Sequence, residues 1–244
     1  TATVRFLAEI RHLVLRRDQR VRLRFDQCKS ISPDAGLVLA AEVDRCRRLR
    51  SRFGRQRLTG NYPKEPLVEQ FLQDIGFFSH LAIRERRHKM GRLRTARRYI
   101  RIRSRMKTHG SLAEEFALLL FEHADTEQAF SNVRTEAVQQ LYVGLTEAMT
   151  NVAQHAYPKN ALNLPVLEGQ WWMAAYIDRE KKELRALLYD QGVGIPATLP
   201  LTKGEQLRQA FGMKTFGQVT DGDLIAAAVK LGRSQTQEEH RGKG

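Results

Sequence analysis

Val21-Arg-Leu-Arg-Phe25 alternates apolar and charged side chains, the pattern of a half-buried strand. Ser32-Pro33-Asp34 follows, with proline placed for a first helical position, and predicts a helix from about Asp34 to Arg50. Leu37, Val38, Ala41 and Leu49 would turn inward on it. Gln56 to Thr59 predicts a short strand, and Pro66 opens a helix through Leu67, Val68, Phe71 and Leu72 that stops at Gly76. Alternation returns at Ile100-Arg-Ile-Arg-Ser-Arg105, which predicts a strand whose charged face carries Arg101, Arg103 and Arg105. A helix from Ser111 turns Leu112, Phe116, Leu119 and Leu120 to one side. A longer one carries Val138, Leu141, Leu145, Met149 and Val152 at helical spacing. Trp171 to Ile177 and Glu183 to Tyr189 are strand runs joined by Asp178 to Lys182, a hairpin. Ala197 to Phe216, with Gly204 and Gly212, predicts an irregular mobile loop, and Asp221 to Leu231 a helix.

Strands interleaved with helices along 244 residues predict an α/β protein of one large domain or two ordinary ones. Neither a membrane-spanning apolar run nor a signal-peptide core stands out, so the expectation is a cytoplasmic protein without membrane contact. Cys28 and Cys46 are too few for a disulfide framework, have no Cys/His cluster near them to make a zinc site, and read as reduced core thiols.

Charge divides the chain more sharply. The net charge is +14, and the twelve Lys/Arg against one acid between Arg84 and Lys107 account for +11 of it. Residues 84–110 therefore read as a basic connector between a unit at 1–83 and another at 111–244. Such a run neutralises nucleic-acid phosphates, or docks on an acidic protein surface, or is simply solvated. Only Tyr99 is an aromatic within it, so base stacking is not suggested.

Two short segments carry the candidate chemistry. In Glu147-Ala-Met-Thr-Asn151-Val-Ala-Gln-His155-Ala-Tyr157 the carboxylate, amide and imidazole each advance about 40° around a helix and form one polar stripe beside its apolar face. In Asp190-Gln-Gly192-Val-Gly194-Ile-Pro196 an acid ends an apolar strand, where a charge is costly unless it is hydrogen-bonded. Gly192 and Gly194 after it allow backbone angles and a close approach that other residues forbid.

In this order and spacing the two segments resemble the nucleotide site of the family shared by gyrase, Hsp90, histidine kinases and MutL. That resemblance implies a Bergerat-type α/β sandwich, a mixed sheet covered by helices, over 111–244, with ATP and magnesium as ligands. It implies Asn151 at the metal, Glu147 as the general base, Asp190 on the adenine amine with Gly192 and Gly194 beside the base, and His155 at the phosphates or closing the helix end. Arg241-Gly242-Lys243-Gly244 resembles the family's phosphate-wrapping glycine box, and Arg233-Ser234 its lid in the anti-sigma kinase branch. The family's domain continues past that box with a helix and closing strands, so a further C-terminal part is expected after Gly244.

Ile31-Ser-Pro-Asp34-Ala35-Gly36-Leu37 and Glu69-Gln-Phe-Leu-Gln-Asp-Ile-Gly76-Phe77 resemble the turn and last helix of STAS domains, the anti-anti-sigma fold, over residues 1–82. Ala35 stands where phosphorylated members of that family have serine, and Ser32 reads as a helix cap. The resemblances together imply an ATP-binding regulatory protein of the anti-sigma kinase or ATPase type. It would act by nucleotide-dependent binding of a protein partner, with hydrolysis or serine phosphorylation as its chemistry, while the first unit serves docking, dimerisation or switching. An ATP-gated nucleic-acid-binding protein using the connector is the alternative.

Overall fold

The computed structural model describes residues 2–51, 58–81, 83, 93, 95–106, 108, 110–125, 134–158, 167–199 and 219–229. Within them the chain is mixed α/β, with one parallel and one antiparallel sheet.

An N-terminal helix, α1 (Ala2–Arg11), runs into a π-helical turn at His12–Arg16. No element was expected before Val21, so this helix is an addition to the sequence pattern. Its inward residues Leu7, Ile10 and Val14 recur at helical spacing. Strand β1 (Val21–Leu23) pairs in parallel with β2 (Leu58–Gly60), and α2 (Pro33–Ser51) makes the crossover that parallel pairing requires. As expected, Ser32 caps α2: its Oγ accepts the Ala35 N–H at 3.2 Å. Helix α3 (Pro66–Asp74) stops just before the left-handed Gly76, and α4 (Phe77–His80) follows at once. Leu39, Ala40, Val43 and Cys46 of α2 pack with Phe71, Leu72, Phe77 and Phe78 as a first core.

Three strands form the second sheet, β3 (Arg97–Met106), β4 (Gln170–Asp178) and β5 (Glu183–Asp190), in that order and antiparallel throughout. The second half of the basic connector is thus a strand of this sheet. Helices α5 (Gly110–Asp125) and α6 (Arg134–Asn151) cover one face, where Phe116, Leu145, Met149 and Val152 meet Ile100, Trp171, Met173 and Ala175. Every residue of β4 is buried. A strand covered on both sides reads as a continuous apolar run, as Trp171 to Ile177 does.

What covers the second face is α2. Its Leu37 and Ala41 pack on Trp172 and Ala174, and Asp44 accepts the Trp172 indole N–H at 3.0 Å. One helix therefore lies between the two cores, and a helix buried on all sides needs apolar or paired residues all round it. Glu42 and Arg45 are each 1% exposed and are joined to one another by an ion pair, with Arg11 completing the group on Glu42.

The alternation along β3 does not hold as expected. Ile100 lies opposite Ala175 and Arg103 opposite Met173, so one extra residue bulges between them. The bulge places Arg101 beside Gly76 and lets the Ile102 N–H donate to the Ile75 carbonyl at 3.0 Å. Beyond it Arg103 shares the face of Ile100, so Arg101, Arg103 and Arg105 do not make one charged face with the isoleucines opposite.

Candidate functional site

The polar stripe lies where its spacing predicts, on the side of α6 away from the core. Glu147, Asn151 and His155 are exposed, while Leu145, Met149 and Val152 between them are buried. One local feature differs. Val152–Ala156 is a π-helical turn, so the chain closes each hydrogen-bonded loop with one residue more than an α-helix. The regular advance from Asn151 to His155 is lost, and the helix end widens just where the stripe finishes.

Asp190 ends β5 half-buried, opposite Trp171 on the face that carries α5 and α6. Its Oδ1 accepts the Gly192 N–H at 2.8 Å, which closes a tight turn after the strand. Oδ2 makes no hydrogen bond among the described residues. Gly192 sits against the widened helix end: a Cβ there would lie 2.1 Å from the Ala156 carbonyl oxygen, closer than any side chain tolerates. Val193 N–H donates to that same carbonyl at 2.9 Å, and Gly194 adopts φ +85°, beyond easy reach of an L side chain. The acid-glycine turn is thereby docked on the end of the helix that carries the stripe.

Tyr157 completes the joint and was not singled out for it in the sequence. Its hydroxyl donates to the Gln170 carbonyl at 2.8 Å and accepts the Gln191 N–H at 3.0 Å. Burial, and the Asp190 carboxylate nearby, push the phenol above its ordinary pKa and keep that donor protonated. The signal available was its place directly after the stripe. Gln191 is 8% exposed, and neither polar atom of its side chain finds a partner among the described residues. Nothing in a glutamine between an acid and a glycine announces that.

Among the described residues no group of three or more His, Cys, Asp and Glu side chains is placed to hold a metal ion. Asn151 offers an amide oxygen, a donor suited to magnesium, which keeps most of its waters and uses few protein groups. Gly242, Gly244 and the rest of the glycine box, Arg233 and Ser234 of the lid, most of the Ala197–Phe216 loop, and Arg84 to Arg92 of the connector lie outside the described residues. Of the connector cations that are described, Arg97 is paired with Asp178 at 2.8 Å and Arg103 with Glu115 at 3.5 Å. A cleft of about 360 Å³ lies at the far end of the sheet, between α3 and the hairpin, lined by Lys29, Phe71, Arg97, Tyr99, Asp178 and Lys181.

Compared with known proteins, the chain matches no protein-family model, no curated protein and no solved structure. Among the described residues no helix is long and apolar enough to cross a membrane.

Proposed function

We propose that the second unit is an ATP-binding domain of the kind shared by gyrase, Hsp90, histidine kinases and MutL, and that the chain is a nucleotide-dependent regulatory protein of the anti-sigma kinase type with a STAS-like first unit. The observation that carries this reading is the docking of the Asp190–Gly194 turn onto the end of α6 through Ala156. In this reading the Asp190 carboxylate is the acceptor for the adenine amine, and the exposed Glu147, Asn151 and His155 on the helix that the turn docks against serve the phosphate end. The order of elements, β3, α5, α6, then the β4–β5 hairpin and the turn, agrees with it.

In this reading Asn151 holds the magnesium that accompanies the phosphates, and Glu147 takes a proton from the attacking water or hydroxyl. Exposure suits both roles, since the groups must meet ligand and not core. Ala35 has no hydroxyl and that of Ser32 is engaged in capping α2, which argues against the helix-start turn of the first unit as a phosphate acceptor.

Calorimetry with ATP and magnesium tests the assignment. Asp190→Asn replaces an acceptor with a donor facing the adenine amine, and should weaken binding by about 2 kcal/mol, the cost of an unpaired buried polar group. Glu147→Ala should leave affinity nearly intact while turnover falls about 10²-fold or more. Undiminished ATP binding by Asp190→Asn would remove the adenine from this turn.

A further inference from the structure

Three successive backbone N–H groups of the turn are fixed by three different partners. Gln191 donates to the Tyr157 hydroxyl at 3.0 Å, Gly192 to the Asp190 carboxylate at 2.8 Å, and Val193 to the Ala156 carbonyl at 2.9 Å. The last two bonds are local to the site. The first leads away from it, because the Tyr157 proton is committed to the carbonyl of Gln170, the first residue of β4.

Gln170 is a junction. It is 1% exposed, its Nε2 donates to Ser104 Oγ on β3, and its Oε1 accepts Arg48 Nη1 of α2 at 3.3 Å. Arg48 Nε in turn donates to Asp44 Oδ1 at 3.0 Å, and Asp44 Oδ2 accepts the Trp172 indole. Asp44 also faces His80 at 3.7 Å, at the end of α4. A continuous series of hydrogen bonds therefore runs from the first unit, through the sheet, to the turn that carries Asp190. Gln170 and Asp44 along it are buried and Tyr157 and Ser104 half-buried, while Arg48 is exposed, so moving one of the covered groups leaves its neighbour unpaired in a place water does not readily fill.

We infer that Tyr157 is the positioning residue of the nucleotide turn and that, through Gln170, it couples adenine binding to the packing of α2 on the sheet. The inference rests on the nucleotide reading above and adds its regulation. A partner that shifts α2 changes the site's affinity, and a nucleotide in the site changes how firmly α2 is held. Linkage makes the two effects equal. The contact surface of the first unit is thereby the input, and no direct contact between partner and nucleotide is required.

Arg48→Ala is the informative variant, because Arg48 is partly exposed on α2, outside the candidate binding residues, and its loss spares both cores. In the full chain it should weaken ATP binding about fivefold or more, the lower end of ordinary coupling. Tyr157→Phe should weaken binding at least as much and lower the preference for ATP over GTP, since Asp190 reads the amine from a turn no longer held in place. The double variant should bind no worse than Tyr157→Phe alone, because both substitutions cut the same path. Hydrogen exchange without nucleotide supplies a separate readout: the Gln191 and Val193 amides should exchange faster in Arg48→Ala. If the parent fails to bind ATP, the nucleotide reading falls and the coupling of adenine binding with it. If the parent binds, while Arg48→Ala keeps full affinity and unchanged exchange at the turn, the coupling alone is overturned. Additive losses in the double variant would also overturn it.

Discussion

Arg50 reaches back to the carbonyls of Val14 and Leu15 at 3.1 and 2.7 Å, and Arg47 reaches those of Ser79 and His80 at 3.0 and 3.2 Å. In both cases a guanidinium from the last turns of α2 satisfies carbonyls left open where another helix ends. Arg47 and Arg50 are thus bracing groups for neighbouring helix ends. Asp44 works in the same region with the opposite sign. Burial by itself would raise its carboxyl, but His80, Arg48 and Trp172 outweigh burial and hold it below the ordinary carboxylate value. A depressed folded-state pKa means that the folded chain binds fewer protons than the unfolded one through that range. The stability Asp44 contributes is then present above about pH 4 and lost as pH falls through its folded value. Asp44→Asn should lower the urea midpoint at neutral pH and flatten its decline as pH falls below about 4. Tryptophan fluorescence follows this directly, since Trp172 is the partner; parallel acid limbs in parent and variant would exclude Asp44 as the group responsible.

At the scale of elements, α2 shows what the sequence could and could not reveal. Its existence, its cap at Ser32 and its length were legible from local chemistry. Leu37 and Ala41 turn inward as expected and Val38 packs partly buried, but the sequence did not show that the helix has two inward sides: Leu37 and Ala41 meet the second sheet while Leu39, Ala40, Val43 and Cys46 serve the first core. A helix whose apolar residues serve two sides gives no single periodic stripe. The unbroken apolar run of β4 is the pattern of a strand buried on both faces, but the partner on the far face sits more than a hundred residues upstream, and only tertiary packing identifies it. The bulge in β3 and the π turn after α6 were equally silent, since each adds one residue to a regular repeat without a glycine or proline to mark it. The polar stripe and the acid-glycine turn were legible as pieces; the bonds through Ala156 and Tyr157 that join them were not. Ala41 tests the double-sided role of α2. It is fully buried against Trp172 and Ala174, so Ala41→Leu overfills that layer and should cost about 1–3 kcal/mol, measured by urea unfolding. A neutral result would mean that α2 does not bear on the sheet as described.

For the molecule as a whole, a helix shared by two cores ties their stabilities together. If the first unit opened alone, α2 would leave the sheet, Trp172 and Ala174 would meet water, and Gln170 would lose Arg48. If the second unit opened alone, Leu37, Ala41 and the carboxylate of Asp44 would be stripped of their cover. Either half-open state keeps the entropy cost of the ordered part and forfeits burial on both sides, so unfolding should be a single cooperative transition. Two natural probes sit on the two sides of α2. Trp171 and Trp172, the chain's only tryptophans, lie in the second sheet. Cys46 lies fully buried in the first core, where burial above all, with Glu42 beside it, pushes its thiol up to about 12, so the reactive thiolate forms only on opening. Replacing the partly exposed Cys28 by serine leaves Cys46 as the one thiol to follow. Its labelling and the tryptophan fluorescence should then share one urea midpoint. Labelling of Cys46 well before the tryptophans respond would show the first unit letting go by itself, and α2 would belong to one core and merely rest on the other.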